Sequence, residues 1–514
     1  MSSRILVLDF GSQYNQLILR RIRQMGVFAE LKRADMPLEE IQQWGPTGII
    51  LSGGPASVYD ENSPRPCKEL LDLPLPILGI CYGMQLMVHS LGGNIEASDE
   101  REYGQALLQK VDREGALTGE LPLDGSQVWM SHGDSVTALP DDFVVNASTK
   151  STPYTMVQHR SKPLFGLQFH PEVRHSIHGE SILKRFLFDV CGAKADWSMA
   201  SYLDRCLETV KKQVGDDDKV ILGLSGGVDS SVMALLLHKA IGDRLTCIFI
   251  DNGLLRLREG DEVEHMFKEL HHLNFVRIDA EERFLSALAG VTEPEAKRKA
   301  IGNTFIEVFE EAVKDQPEVK WLAQGTIYPD VIESTSTHGA SMTIKSHHNV
   351  GGLPDEMKLK ILEPLRELFK DEVRQLGSEL GLPHELLWRH PFPGPGLGVR
   401  VLGEVTKERC DTLRKADRIY IDEIREAGIY DQIAQAFAVL LPVNSVGVMG
   451  DGRTYENVLA LRAVTTEDFM TADWYEFDRE LIARISNRIV GEVRGVNRVV
   501  YDVTSKPPGT IEWE

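Results

Sequence analysis

Lys219-Val-Ile-Leu-Gly-Leu224 runs directly into Ser225-Gly226-Gly227-Val228-Asp229-Ser230-Ser231 and then into Val232-Met-Ala-Leu-Leu-Leu237. An unbroken apolar run that ends in a glycine-serine turn reads as a strand buried on both faces, and the apolar stretch behind it as a helix. Strand, turn and helix in that order are the unit from which parallel sheets are built. The rhythm continues downstream, with strands expected at 245–250, 275–278 and 321–324 and helices at 230–240 and 294–313. It is also present upstream, with strands at 4–10, 48–51, 76–80 and 164–169 and helices at 14–25 and 82–91. Between the two series lies Cys191-Gly-Ala-Lys-Ala-Asp-Trp-Ser198, a junction followed by a helix over 199–213. The run His390-Pro-Phe-Pro-Gly-Pro-Gly-Leu-Gly398 stops any helix or central strand. Beyond it the pattern mixes a helix over 408–427 and another near 473–494 with β-type runs at 445–449 and 498–503. The expected fold class is α/β: two consecutive, mainly parallel-sheet α/β domains (1–195 and 196–389) followed by a smaller α+β C-terminal domain (390–514).

Composition narrows the function. The 514 residues are 26% charged and 42% hydrophobic, an ordinary globular balance. A formal net charge of −21 repels polyanions, so neither a nucleic-acid partner nor an anionic membrane is expected. Small phosphorylated ligands remain compatible, held by loop amides and helix N-termini. No apolar stretch approaches the roughly 18 residues of a membrane span, and no secretory signal opens the chain. A soluble, cytoplasmic protein is the expectation. Six cysteines, none in a CxxC pair, form neither a disulfide framework nor a zinc site.

One of those cysteines sits where a strand turns into a helix, in Gly79-Ile80-Cys81-Tyr82-Gly83. Flanking glycines tolerate the sharp turn of a nucleophile elbow, and a helix N-terminus favours the thiolate. A buried, inert cysteine is the plainer alternative. Downstream, Phe169-His170-Pro171-Glu172 ends another apolar strand. Residues two apart on an extended chain share a face, so Glu172 can orient His170, and His170 can act as base on Cys81. Ser52-Gly53-Gly54-Pro55 follows a further strand, and the Gly54 and Tyr82 N–H groups are candidates for an oxyanion hole. Together these segments resemble the class I, triad-type glutamine amidotransferases over residues 3–190. The resemblance implies Cys81 as nucleophile, His170 as base and Glu172 as its carboxylate. It also places Gln85, Ser131, His132 and Asp134 on the glutamine side.

The Ser225–Ser231 loop is a phosphate cradle by its glycines and helix-start amides, yet it lacks the lysine of a Walker loop. Its carboxylate, Asp229, suits Mg²⁺ better than phosphate. An ordinary βα turn with a serine cap is the alternative. The motif resembles the N-type ATP pyrophosphatases, which cleave ATP between the α and β phosphates. That resemblance implies Ser225, Gly226, Gly227, Val228, Asp229, Ser230 and Ser231 around pyrophosphate, Asp251 near adenosine and Lys370 reaching the pyrophosphate. Asp330 joins Asp229 on the Mg²⁺ side.

A glutaminase joined to an adenylating domain implies amination of an activated oxygen. Three segments bear on the substrate: the basic cluster Lys297-Arg298-Lys299, the 390–398 run, and the tail Thr504-Ser-Lys506-Pro-Pro-Gly-Thr-Ile-Glu512-Trp-Glu514. Each has a plainer meaning, a solvated helix face, a loop or a frayed end. All three resemble the corresponding segments of the GMP synthetase family. The resemblance implies XMP, ATP and glutamine as substrates, Arg298 on the XMP phosphate (with Lys297 or Lys299 as substitutes), Lys506 and Glu512 on XMP, and a homodimer. A NAD-type synthetase, a non-enzymatic regulatory or binding protein that kept the folds (which would be expected to lose Cys81, His170 or Asp229, all present here), and a tRNA-modifying enzyme are the rivals. The acidic charge argues against the last.

Overall fold

The computed structural model of the chain describes residues 3–314, 316, 318–335, 359–449, 452–466 and 469–514. The chain divides into two compact units, Met1–Tyr202 and Leu203–Glu514.

The first unit is built on strands β1 (Arg4–Asp9), β2 (Phe28–Arg33), β3 (Gly48–Leu51), β4 (Ile77–Ile80), β5 (Asn94–Leu107), β6 (Gln127–Ala138), β7 (Phe143–Ala147), β8 (Met156–His159) and β9 (Leu164–Leu167). Seven of them form one sheet in the order β2-β1-β3-β4-β9-β8-β7. The neighbours from β2 to β9 run parallel, and β8 and β7 close the edge antiparallel. Ile5, Leu6, Val7 and Leu8 are all fully buried, which is why the central strands read as continuous apolar runs. Strands β5 and β6 form a separate antiparallel ribbon. The expected strand at 164–169 stops at Leu167, and the chain turns through His170–Glu172 instead of remaining extended.

The second unit contains a fully parallel sheet of β10 (Lys219–Gly223), β11 (Leu245–Asp251), β12 (Asn274–Asp279), β13 (Val319–Ala323) and β14 (Lys360–Leu362), ordered β12-β11-β10-β13-β14. Its other sheet is mixed. The long hairpin β15 (Gln435–Met449) and β16 (Gly452–Thr465) is flanked by β17 (Asp473–Trp474), and β18 (Val496–Tyr501) pairs with β16 in parallel. Ile221 and Ile248 of the first sheet share one apolar cluster with Leu413 and Tyr420 of the helix Lys407–Glu426 and with Leu459 of β16. Burying a Leu or Ile side chain stabilises by roughly 1.5–3 kcal/mol. Separating the halves would expose many such side chains, so 203–389 and 390–514 share a core.

The helix expected from 473 begins only at Arg479. Asp478 caps it by accepting from the Glu480 and Leu481 amides, while Asp473 and Trp474 pair with β16. The capping carboxylate, and not the apolar pattern, sets the helix start.

Candidate active sites

Four loops leave the carboxyl ends of β1, β3, β4 and β9 on one edge of the first sheet, the edge where open α/β sheets bind ligands. Cys81 lies between β4 and the helix Tyr82–Ser90 with φ +51°, a conformation a non-glycine residue rarely holds. The elbow needs its glycines. A methyl group on Gly79 would lie 2.6 Å from the Met84 nitrogen, and one on Gly83 2.3 Å from the Leu51 carbonyl oxygen. The Cys81 amide donates to the Leu167 carbonyl at 2.7 Å, tying the elbow to the strand that leads to His170.

His170 is buried, and its Nδ1 lies 2.7 Å from Oε1 of the fully buried Glu172. Burial pushes the imidazole downward, but the Glu172 carboxylate and the hydrogen-bonded Cys81 together hold it well above its ordinary value. The Glu172 carboxylate thereby favours the protonated ring beside Cys81. The ring is fenced by the Tyr14 ring, edge-on with centroids 4.9 Å apart, and by Gly53, where a methyl group would lie 2.9 Å from the imidazole Cε1.

Gly54, Cys81, Gln85, Ser131, His132, Asp134 and His170 line one cleft of about 620 Å³. Gln85 donates to the Asp134 carbonyl at 2.7 Å, and Cys81 Sγ lies 3.5 Å from the Ser131 carbonyl, so both fasten β6 to the elbow. Tyr82 sends its phenol away, to the Pro64 carbonyl. Glu102 stands 3.4 Å from His132 Nε2. Although burial works the other way, His132, Ser151 and Thr152 bring the Glu102 carboxyl down to about 2. Sequence reasoning missed Tyr14 and Glu102, and read the Gly53 turn only for its backbone amides. For Tyr14 a signal existed, since Gly11-Ser-Gln-Tyr14 is itself a strand-end turn. For Glu102 there was none.

In the second unit the Ser225–Ser231 loop leaves β10 where the sheet order reverses, the switch point at which such sheets take ligands. Gly226 has φ +74°. Ser225 and Ser230 hydroxyls lie 3.0 Å apart, and the Gly227 amide donates to Ser225 Oγ at 3.2 Å. Lys370 opens the helix Lys370–Glu379 and reaches both oxygens of Asp229 at 2.7 Å. The motif's carboxylate and the distant lysine are therefore brought together. Asp251 accepts from Arg277 at 2.6 Å, and Asp330, in the first turn of the helix Tyr328–Thr335, accepts from the Ile327 amide. Among the described residues no group of three or more His, Cys, Asp or Glu side chains could enclose a metal.

The C-terminal tail is docked. Glu512 accepts from Arg400 at 2.8 Å and from Gln435 at 2.6 Å. Arg400 is 1% exposed and lies over the rings of Phe437 and Phe392. Ile511 is buried, and the backbone of Lys506 pairs with Ala472 while its Nζ donates to the Phe469 carbonyl. Arg298 donates to the Glu514 carbonyl at 2.6 Å. Its neighbour Lys297 is fully buried and bound to the Glu514 carboxylate and the Val401 carbonyl, which commits it to the fold; Lys299 is exposed. Glu512 and Arg298 are both tied to the tail's own anchoring, and Lys506 makes its contact apart from them.

Three stretches of the chain match known protein families. Residues 6–190 match the family described as glutamine amidotransferase class-I, residues 200–288 the NAD synthase family, and residues 422–513 the GMP synthase C terminal domain. A GMP synthase (glutamine-hydrolyzing) of Cronobacter sakazakii is 57% identical over 99% of this chain and 98% of its own length. The protein of the same description from Shigella flexneri serotype 5b is 58% identical over the same shares. With relatives this similar along the full length of both chains, the chain belongs to the glutamine-hydrolysing GMP synthase family.

Proposed function

We infer that the chain makes GMP from XMP, taking ammonia from glutamine and energy from ATP. The observation that carries this reading is the His170–Glu172 contact at 2.7 Å beside an elbow cysteine, in a chain that also holds the Ser225–Ser231 loop. Cys81 gives its proton to His170 and attacks the glutamine carboxamide while Gly54 and Tyr82 amides receive the oxyanion. His170 gives its proton to the departing ammonia, and water then releases glutamate from the thioester.

In the second unit the xanthine O2 attacks the α phosphate of ATP, and pyrophosphate leaves into the Ser225–Ser231 loop. Ammonia then displaces AMP from the adenylated base. Arg298, Lys506 and Glu512 are the proposed XMP residues, and Asp251 lies on the adenosine side. For Mg²⁺ the donor chemistry fits at two carboxylates, Asp229 and Asp330, which are hard oxygen ligands, with Lys370 on the Asp229 oxygens. Together with ATP's own phosphate oxygens they would hold the ion, which neutralises phosphate charge. Lys370 shares the Asp229 carboxylate and carries its own charge toward the departing pyrophosphate.

We further propose that residues 1–195, 196–389 and 390–514 divide these tasks, that the protein works as a homodimer, and that it is cytoplasmic. Among the described residues no helix is long and apolar enough to cross a membrane. The NAD synthase match over 200–288 favours a second reading, amination of a dinucleotide acid, but that match spans the adenylating segment alone. Incubating the purified protein with XMP, glutamine and ATP tests the proposal. GMP formation supports it, and turnover with a dinucleotide acid but not with XMP would replace it.

A further inference from the structure

The phosphate loop is held from behind by a side chain outside its motif. Arg389 Nη1 donates to the Gly226 carbonyl at 2.8 Å, and its Nη2 pairs with Glu259 Oε1. A glycine at φ +74° turns its peptide so that carbonyl and neighbouring N–H groups face opposite ways. A guanidinium on that carbonyl fixes the sense of the turn; the Gly227 amide is taken by Ser225 Oγ, so the donors it presets for an anion are the first amides of the helix that begins at Val228.

Glu259 has 5% of its side chain exposed, and its second oxygen accepts from the Arg256 amide at 3.0 Å. Burial works to raise its carboxyl, but Arg389 and Arg256 hold it below the usual range. The Arg389–Glu259 pair is therefore ionised at neutral pH and fixed on both sides. The backbone of the next residue is equally constrained: the His390 amide donates to the Tyr430 hydroxyl at 2.8 Å, and the two rings stack with centroids 3.8 Å apart. Arg389 is a rigid strut between the loop and the segment that opens the 390–398 run. A methyl group on Gly226 would lie 3.0 Å from Val263, and the positive φ itself disfavours any side chain there.

We propose that Arg389 is a positioning residue for the phosphate loop: through the Gly226 carbonyl and Glu259 it presets the loop amides for the pyrophosphate portion of ATP without touching the nucleotide. This rests on the reading of Ser225–Ser231 as the pyrophosphate site. Preset donors need no reorganisation when the anion arrives, so the contribution appears in affinity for the phosphate chain and not for the base.

The test uses the full chain, driven by ammonium so that glutamine hydrolysis does not enter. Arg389→Met should raise both the ATP KM and the inhibition constant for inorganic pyrophosphate about tenfold, with the XMP KM unchanged. Arg389→Lys keeps the cation but cannot span both Gly226 and Glu259, so the same two constants should rise by a smaller factor. Ser230→Ala, inside the loop, is the control. If Arg389→Met does not fold, the Lys variant decides. Wild-type pyrophosphate inhibition in a folded Arg389 variant, alongside a weakened Ser230→Ala, overturns the strut and keeps the loop reading. Unchanged inhibition in all variants overturns both, and an equal loss for ATP and XMP marks Arg389 as merely structural.

Discussion

His170 and Glu172 meet at 2.7 Å across a turn, not along an extended strand, and both are buried. Glu172 favours the protonated form of the imidazole, so Glu172→Gln should lower the His170 pKa and cut glutamine hydrolysis by roughly a thousandfold. The stability consequence has a definite sign. A histidine whose folded pKa is raised contributes stability fully present below its unfolded value, near 6.5, and lost as pH rises through the folded value. The difference in Tm between the protein and Glu172→Gln should be widest below about pH 6.5 and narrow above it. A difference that grows with pH would contradict the assignment.

Gly53 sits in the Ser52–Pro55 turn, and its added methyl group would lie 2.9 Å from His170 Cε1 and 3.6 Å from Cys81 Cβ. Gly53→Ala should displace the imidazole and abolish glutamine-dependent GMP formation. Amination with ammonium should be retained. Normal glutamine turnover by this variant would show that the ring has space to move.

Asp229 and Lys370 neutralise each other at 2.7 Å. Asp229→Asn removes one hard oxygen charge and releases the lysine, so XMP amination should fall and the Mg²⁺ concentration for half-maximal rate should rise. The titration is run with ammonium. An unaltered Mg²⁺ dependence would assign Asp229 to Lys370 alone.

Much of the fold was legible because buried parallel strands such as Ile5–Leu8 are apolar without interruption. β2 was not, since an edge strand carrying Glu30, Lys32 and Arg33 shows no such run. The β5–β6 ribbon, whose sequence is largely polar, escaped for the same reason, whereas in the β15–β16 hairpin the exposed end at 445–449 was read and the buried apolar runs Ala436–Leu440 and Val458–Leu461 were not. At the sites, residues within one loop were legible, because glycines, a cysteine and serines at fixed spacing state their own geometry. Arg389 on Gly226 and Arg400 on Glu512 were not, because each pair meets only through the tertiary fold. The basic cluster was half legible: its charge was visible, but not that Lys297 spends it inside the protein.

Deleting the tail from Lys506 would leave Lys297 and Arg400, both buried, without their Glu514 and Glu512 partners. Unpairing a buried charge costs roughly 3–5 kcal/mol, so the truncation should destabilise the second unit as well as stop amination. Glu512→Gln is the sharper probe. It keeps the shape and most hydrogen bonds, and should raise the XMP KM while changing the ATP KM little. An unchanged XMP KM would return Glu512 to a purely structural role as the Arg400 anchor.

The central claim is that nitrogen passes from glutamine at Cys81 to a base activated by cleavage of ATP between its α and β phosphates. Glutamine labelled with ¹⁵N at the amide, supplied with XMP and ATP, measures both parts at once. The label should appear in the GMP amino group, with one AMP and one pyrophosphate formed per GMP. In Cys81→Ala, labelled glutamine should give no GMP while ammonium still does. Unlabelled GMP, or ADP and inorganic phosphate in place of AMP and pyrophosphate, would contradict the account.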